Sequence, residues 1–190
     1  MAYGKPSSIV ALVSKTANNN ILDIGCGRRK IPEAVGMDNN PRSEADVIHN
    51  LDAFPYPFPD NRFDLVIGRY VISNVDNPVR VIEELHRITR PGGLIRLIIP
   101  HFTAVHSWAD VTHRHYFSYT AFNGCFDEKG KASFYTDKRF RVRTWLDFPR
   151  FWRWLGVEIM ANRWPALYEK TFLRSLFPAR DLHVELEVLK

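Results

Sequence analysis

The residues best suited to chemistry are two glycines after a short apolar run and an acid further along the chain. Residues 20–27 read N-I-L-D-I-G-C-G, an apolar run short enough for a buried strand. Gly25 and Gly27 let the backbone turn tightly and approach a ligand without a Cβ in the way. Asp23 would be costly to bury without a partner. Asp38 ends a second apolar run, where an acid can bind both hydroxyls of a ribose. Together they predict a site for a nucleoside-containing cofactor.

The spacing of these residues argues against a nicotinamide dinucleotide. The dinucleotide fingerprint needs a third glycine and an acid about 20 residues further on. Here Lys30 stands at the third glycine position, and Asp38 follows Gly25 by only 13 residues. We therefore predict that NAD is not the cofactor.

Four motifs occur in order between about residues 20 and 100. They are D-I-G-C-G from Asp23, the acid Asp38, F-D-L-V-I from Phe63 and L-H-R-I-T-R-P-G-G-L from Leu85. This series resembles the class I S-adenosylmethionine (SAM) methyltransferases, most closely the small type 11 members. The resemblance implies a Rossmann-like fold, SAM as cofactor and methyl transfer to an acceptor. The alternatives are another nucleotide-binding α/β protein, or a non-catalytic binding or peripheral interaction protein that keeps the fold.

The resemblance also implies a set of cofactor-binding residues. They are Asp23, Gly25, Cys26, Gly27, Lys30, Asp38, Asn39, Leu51, Asp52, Arg69 and Tyr70. By resemblance, Asp52 approaches the adenine amino group and Leu51 packs on the ring. Arg69 and Tyr70 end the fourth predicted strand, where a doubly wound sheet meets its ligands. Lys30 and the two arginines before it either lie near the carboxylate of the cofactor or are solvated surface charges.

Residues 100–118 are rich in histidine and follow the fifth predicted strand. They include four of the seven histidines: His101, His106, His113 and His115. Three interpretations compete. A metal site is one, although no cysteine supports it and the spacing matches no ligand motif. A structural network of imidazoles with Asp110 is the second. The third is acceptor binding with removal of the acceptor's proton.

Proton removal is useful here because an alcohol or amine must lose a proton when it is methylated. The methyl donor is already activated, so the protein mainly aligns the reactants. Histidine titrates near neutrality and can take the proton. We predict His113 and His106 as the first candidate bases, with Asp110 orienting one imidazole and His101 as a further catalytic candidate. Asn74 stands where relatives often carry a histidine, and the expected acceptor is a small molecule or of glycan or lipid type.

One α/β domain over residues 1–190 would position these groups. The apolar pattern predicts strands at 21–24, 34–37, 45–51, 63–70 and 94–99, a helix starting at Pro78, and a further helix at 6–17. The chain between Gly27 and the second strand has room for only a turn or so of helix. The resemblance implies that 138–148 and 181–189 are the last two strands, the second inserted antiparallel. We predict a single doubly wound, mostly parallel seven-stranded sheet with an antiparallel C-terminal strand.

A helical insertion at about 150–178 lies between those last two strands. The segment is rich in Trp, Phe and Arg and reads as two helices broken at Pro165. Because Leu155, Ile159 and Met160 need burial, we expect a cap packed on the sheet or over the acceptor site.

The alternatives for this insertion are a membrane-surface patch and a dimer face. We predict a folded cap rather than a membrane anchor, because its apolar residues are spread around both helices and its acids, Glu158 and Glu169, would oppose anionic lipid. Aromatic and arginine stacking can bind single-stranded nucleic acid. No RNA-binding motif accompanies it, so a nucleic-acid partner is not expected.

Composition sets broad bounds. The chain of 190 residues has an apolar fraction of 45% and a net charge of +5, which permits an anionic partner without indicating one. The apolar runs are too short for a signal peptide or a transmembrane segment. Two cysteines give no disulfide framework. We expect a cytoplasmic protein, with a homodimer as a possible assembly and with no bound metal.

Overall fold

Seven strands form one sheet in the computed structural model, which describes residues 20–128 and 135–190. They are β1 (Ile21–Ile24), β2 (Val35–Asp38), β3 (Val47–Ile48), β4 (Phe63–Arg69), β5 (Thr89–Pro100), β6 (Arg139–Asp147) and β7 (Asp181–Leu189). Their order across the sheet is β3-β2-β1-β4-β5-β7-β6.

The sheet is parallel from β3 to β5, and β7 runs antiparallel between β5 and β6. The predicted fold class is confirmed, including the antiparallel insertion of the last strand. All four residues of β1 are buried, as expected for a strand in the middle of a parallel sheet. The strand order reverses between β1 and β4, so the carboxyl ends of β1, β2 and β4 meet at the edge where such sheets bind ligands.

The described residues form seven helices around this sheet. They are α1 (Pro78–Ile88), α2 (Val105–Ala109), α3 (Ala121–Phe126), α4 (Arg150–Trp154), α5 (Val157–Arg163), α6 (Pro165–Lys170) and α7 (Leu173–Leu176). Asn77 caps α1 by accepting a hydrogen bond from the Arg80 N–H, and proline takes the first helical position. The buried face of α1 includes Val81, Ile82 and Leu85, and Val79 is half-buried.

Two predicted strands are shorter in the structure. Only Val47–Ile48 of the predicted 45–51 forms β3, because Asp46 uses its carboxylate to accept the Gly36 N–H at 2.7 Å. The predicted 63–70 strand ends one residue early because Tyr70 has φ +56°, a left-handed conformation that cannot continue a strand. That turn brings the Tyr70 ring away from the sheet and toward the ligand edge.

The insertion is a folded cap, but it forms four short helices instead of the predicted two. Gly156 has φ +76° and separates α4 from α5. Pro165 begins α6, since a residue before proline avoids helical dihedrals. The expected burial of Leu155 and Ile159 is wrong: both side chains are exposed, and Val157 and Ala161 are buried instead.

The link from β1 to β2 contains turns and no helix among the described residues, in keeping with its length. The helix predicted at 6–17 lies outside the described residues. Across 20–128 and 135–190, no helix is both long enough and apolar enough to span a membrane.

Candidate functional site

The loop after β1 is a close-fitting backbone turn. Gly25 has φ +59° and donates its N–H to the Met37 carbonyl at 2.7 Å. A Cβ on Gly25 would lie 2.4 Å from Val71 Cγ2, so the side chain of Val71 occupies the space that any larger residue would need. Gly27 also has a positive φ, +56°. The predicted need for glycine at these two positions therefore has a direct geometric basis.

The Asp38 carboxylate is fixed at the end of β2. Its Oδ2 accepts the Gly27 N–H at 2.9 Å, and its Oδ1 accepts the Asn40 N–H at 2.8 Å. A carboxylate has about four acceptor positions, so both oxygens keep capacity for a hydroxyl donor. The geometry suits an acid that binds a ribose.

Asp23 is fully buried beneath the glycine loop. Its Oδ2 accepts the Ile31 N–H at 2.8 Å and an Arg69 guanidinium N–H at 2.9 Å, while its buried Oδ1 has no hydrogen-bond partner in the structure. Burial raises the pKa of Asp23, and the hydrogen bond from Ile31 and the charge of Arg69 oppose that rise. Arg69 also donates to the Arg29 carbonyl, so this arginine ties β4 to the glycine loop.

A cavity of about 220 Å³ opens in front of the loop. Of the predicted cofactor residues, it is lined by Gly25, Asp38, Asn39, Leu51, Asp52 and Tyr70. Asn50, Val71, Asn74 and Val75 complete the wall. The other predicted residues, Asp23, Cys26, Gly27, Lys30 and Arg69, do not line it and instead shape the loop from behind or beside it.

Lys30 and Cys26 are the two predicted residues whose side chains have other local roles. Lys30 Nζ pairs with the Asp46 carboxylate at 2.8 Å, and this hydrogen bond raises the pKa of the ammonium. Cys26 is buried, and burial together with the Asp23 and Asp38 carboxylates raises the pKa of its thiol to about 11. Neither side chain reaches the cavity.

Asp52 joins the cavity to the start of α1. Its Oδ1 accepts the Asp76 N–H at 2.9 Å, and its own N–H is donated to Asn50 Oδ1 at 3.0 Å. Asn74, opposite, donates from Nδ2 to Thr112 Oγ1 at 2.7 Å, and its buried Oδ1 has no hydrogen-bond partner in the structure. Sequence reasoning missed Asn50, and it placed Asn74 in this region without a function.

A second cavity, of about 470 Å³, lies on the other side of Tyr70. It is lined by Tyr70, Pro100, His106, Ala109, Asp110, Val111 and His113. Three of the four predicted catalytic residues therefore share one cavity, and Tyr70 belongs to both cavities.

His113 is held in one orientation in the second cavity. Its Nδ1 lies 2.8 Å from the Ser107 carbonyl, which can only accept, so Nδ1 carries the proton. Nε2 is then the basic nitrogen of the neutral ring, and Asp110 Oδ2 lies 3.8 Å from it. The predicted orienting role of Asp110 is wrong for this histidine, because Ser107 supplies it. Asp110 Oδ1 accepts both the N–H and the hydroxyl of Thr112, and these bonds lower the pKa of Asp110.

His106 has a different partner. Its Nε2 lies 3.3 Å from Oδ1 of the buried Asp181, and its ring meets the Tyr70 ring edge-on at 6.2 Å between centroids. Burial and the Asp181 carboxylate raise the pKa of the Tyr70 hydroxyl to about 12. Tyr70 therefore remains a neutral hydrogen-bonding group at the junction of the two cavities.

The other two histidines of the segment are structural. His101 is fully buried, with Nδ1 2.7 Å from Thr103 Oγ1 and Nε2 3.0 Å from Glu169 Oε1. It lines neither cavity, so the structure does not support its predicted catalytic role. His115 Nε2 lies 3.0 Å from the Val75 carbonyl. Both imidazoles hold segments of the chain together, but their partners are Thr103, Glu169 and Val75 and not the Asp110 of the predicted network.

Within 20–128 and 135–190, one group of side chains is spaced closely enough to hold a metal, and it includes none of these four histidines. The group is Asp147, Asp181 and His183. Arg180 donates to both of its carboxylates. These acids are therefore already paired with a cation.

The methyltransferase domain family model of type 11 matches residues 22–97. The match covers β1 to β5, including the glycine loop, Asp38 and the end of β4. Residues 22–97 of this chain are therefore similar to a methyltransferase domain.

Individual methyltransferases match over different lengths. The demethylmenaquinone methyltransferase of Geobacillus stearothermophilus is 36% identical over 77 residues, 40% of this chain and 29% of that protein. The corresponding protein of Listeria welshimeri is 32% identical over 102 residues, 54% of this chain and 39% of that protein. The chain thus spans well under half the length of the curated relatives it matches.

A solved structure extends the match to nearly the whole fold. A SAM-dependent methyltransferase from Archaeoglobus fulgidus superposes with a TM-score of 0.60 at 18% identity, covering 90% of this chain and 86% of that one. At 18% identity the comparison shows a shared fold and nothing more. The superposition includes the region beyond β5, which the family model does not cover. The site described above therefore sits at the ligand edge of a methyltransferase fold.

Proposed function

We propose that the protein transfers the methyl group of SAM to an acceptor bound in the second cavity. The observation that carries this proposal is the meeting of two cavities at Tyr70: one faces the glycine loop, and the other holds a histidine with a basic Nε2. A methyltransferase needs such a pair of adjoining sites, because donor and acceptor must react in line.

The first cavity fits SAM in its chemistry. Gly25 leaves no space for a Cβ against Val71, so its backbone can face a ligand closely. The Asp38 carboxylate is oriented for ribose hydroxyls, and the unpartnered, buried Oδ1 of Asp23 adds negative charge beneath the loop, which suits a cationic ligand. We propose that these residues hold the cofactor together with Asn39, Leu51, Asp52 and Tyr70. When bound, SAM supplies a methyl group activated by its sulfonium.

The residues of the second cavity would manage the acceptor proton. His113 can accept it at Nε2, because Nδ1 is already protonated and held by Ser107. The ring would then be cationic, and the Asp110 carboxylate 3.8 Å away would stabilise that charge. His106, oriented by Asp181, is the second candidate for the same role.

The acceptor remains a small molecule, or a glycan or lipid type of compound. The names of the matched relatives favour a lipid-type acceptor, since demethylmenaquinone carries a long apolar chain. Val111 lies at the wall of the second cavity and is 96% exposed, so its apolar side chain is free to contact such an acceptor. A cytoplasmic location and a homodimer stay predictions.

Replacing His113 tests this assignment. We measure transfer of tritiated methyl from SAM to demethylmenaquinone and to an organic extract of bacterial membranes, with SAM affinity by calorimetry. His113→Ala should lower turnover at least about tenfold, because general-base removal is worth about 10²–10⁴ in rate. SAM affinity should stay unchanged, since His113 does not line the first cavity. Wild-type protein that binds SAM and labels no acceptor in either preparation would favour the non-catalytic alternative.

A further inference from the structure

The cap formed by α4 to α7 exposes many large apolar side chains. Trp154 is 82% exposed, Phe172 is 70% exposed and Ile159 is 66% exposed. The cap is nevertheless well packed underneath, where Val157, Ala161 and Tyr168 are buried. The cap therefore combines a buried apolar underside with several large apolar side chains exposed to solvent, and clusters of such side chains mark interaction sites.

The basic side chains of the cap are exposed to solvent, whereas its acidic side chains are bonded inside the protein. Segment 150–178 has five basic residues, and all five are exposed: Arg150, Arg153, Arg163, Lys170 and Arg174. Its only acids, Glu158 and Glu169, point inward. Glu158 is buried beside Arg153, and Glu169 bonds His101 and the Tyr119 N–H. The expectation that these acids oppose anionic lipid is wrong, because neither presents its charge to the outer face.

This surface continues toward the second cavity. Arg174 lies over the Phe102 ring, 5.7 Å from its centroid, and shares a surface pocket with Trp108. Trp108 stacks on Tyr116 at 4.1 Å between centroids, and both rings are exposed. Apolar and basic groups thus extend from the cap to α2, which forms part of the wall of the second cavity.

We propose that the cap and α2 dock on an anionic lipid surface. Exposed Trp, Phe and Leu side chains enter the interfacial layer of a bilayer, while arginine and lysine contact lipid phosphates. A second copy of the chain fits this face less well, because an isologous contact would bring the same cations together. A nucleic acid fits less well too, since aliphatic side chains such as Ile159 offer no stacking surface. The proposal does not depend on methyl transfer.

Vesicle co-sedimentation tests the docking directly. The full chain is mixed with vesicles of phosphatidylcholine, or of equal parts phosphatidylcholine and phosphatidylglycerol. Trp154→Glu should abolish most binding to the anionic vesicles. Arg163→Gln should weaken it about fivefold, the effect of one surface cation. The matched control is Ile48→Glu, an exposed apolar residue on β3 at the opposite edge of the sheet from β6, and it should bind like wild type.

Three results would overturn the proposal. One is absence of binding of the wild-type chain to anionic vesicles. Another is equal loss of binding in Ile48→Glu and Trp154→Glu. The third is a dimer in light scattering that Trp154→Glu dissociates, which would assign the face to a second copy. Circular dichroism confirms that each variant is folded, and no cofactor or acceptor is needed, so the outcome is separate from that of the proposed function.

Discussion

Gly25 shows at the scale of one residue how closely the loop is packed against the wall of the first cavity. Its φ of +59° costs any other residue about 1–2 kcal/mol, and an added Cβ would also displace Val71 from the cavity wall. Gly25→Ala should lower the free energy of unfolding by about 1–3 kcal/mol, measured in urea, and weaken SAM binding.

Gly124 provides the matched control for that substitution. It lies in α3, its φ is not positive, and an added Cβ would meet no heavy atom within 4 Å. Gly124→Ala should therefore raise the free energy of unfolding by about 0.5–1 kcal/mol, the usual gain in a helix. Equal effects of the two substitutions would contradict the close fit at Gly25.

At the scale of elements, Glu169 connects the cap to the segment that follows β5. From α6 it accepts the Tyr119 N–H at 2.6 Å and contacts Nε2 of His101, at the end of β5, at 3.0 Å. Glu169→Ala would leave both groups unpaired, a cost of about 1–3 kcal/mol. We expect faster amide hydrogen exchange in α6 and α7, with β1 and β4 unchanged.

Lys170→Ala is the control, because Lys170 is the neighbouring residue of α6 and is exposed. It should leave exchange in α6 and α7 as in wild type. If exchange in Glu169→Ala also matches wild type, the cap is held by its apolar packing alone, and Glu169 is not the connection.

For the whole molecule, the sheet was predictable because its signals are local. The alternation of Asp181–Leu189 and the apolar runs of β1 and β4 specify strands within a few residues. The two glycines were also predictable from the sequence, because a backbone with positive φ favours glycine. Asp38 was predictable because an acid at the end of the second strand is typical of a ribose site.

The roles of the other site residues could not be predicted, because they depend on contacts between distant parts of the chain. His101 and His113 are the same residue type twelve positions apart, yet His101 is buried and bonded to Glu169, whereas the Ser107 carbonyl orients His113 beside a cavity. Lys30 pairs with Asp46, 16 residues away, instead of facing the cofactor. The inward orientation of Glu158 and Glu169 likewise follows from packing. The helices of the cap are only four to seven residues long, so their apolar pattern is too short to predict which face is buried.

The central claim is that the cavity in front of the glycine loop binds SAM through Asp38. Calorimetric titration with SAM tests it most directly, on wild-type protein, Asp38→Ala and the control Asp60→Ala, an exposed acid paired with Arg87 outside both cavities. We predict binding by wild type, the same affinity in Asp60→Ala, and a loss of roughly 1–3 kcal/mol in Asp38→Ala. No binding by wild type, or an unchanged affinity in Asp38→Ala, would contradict the claim.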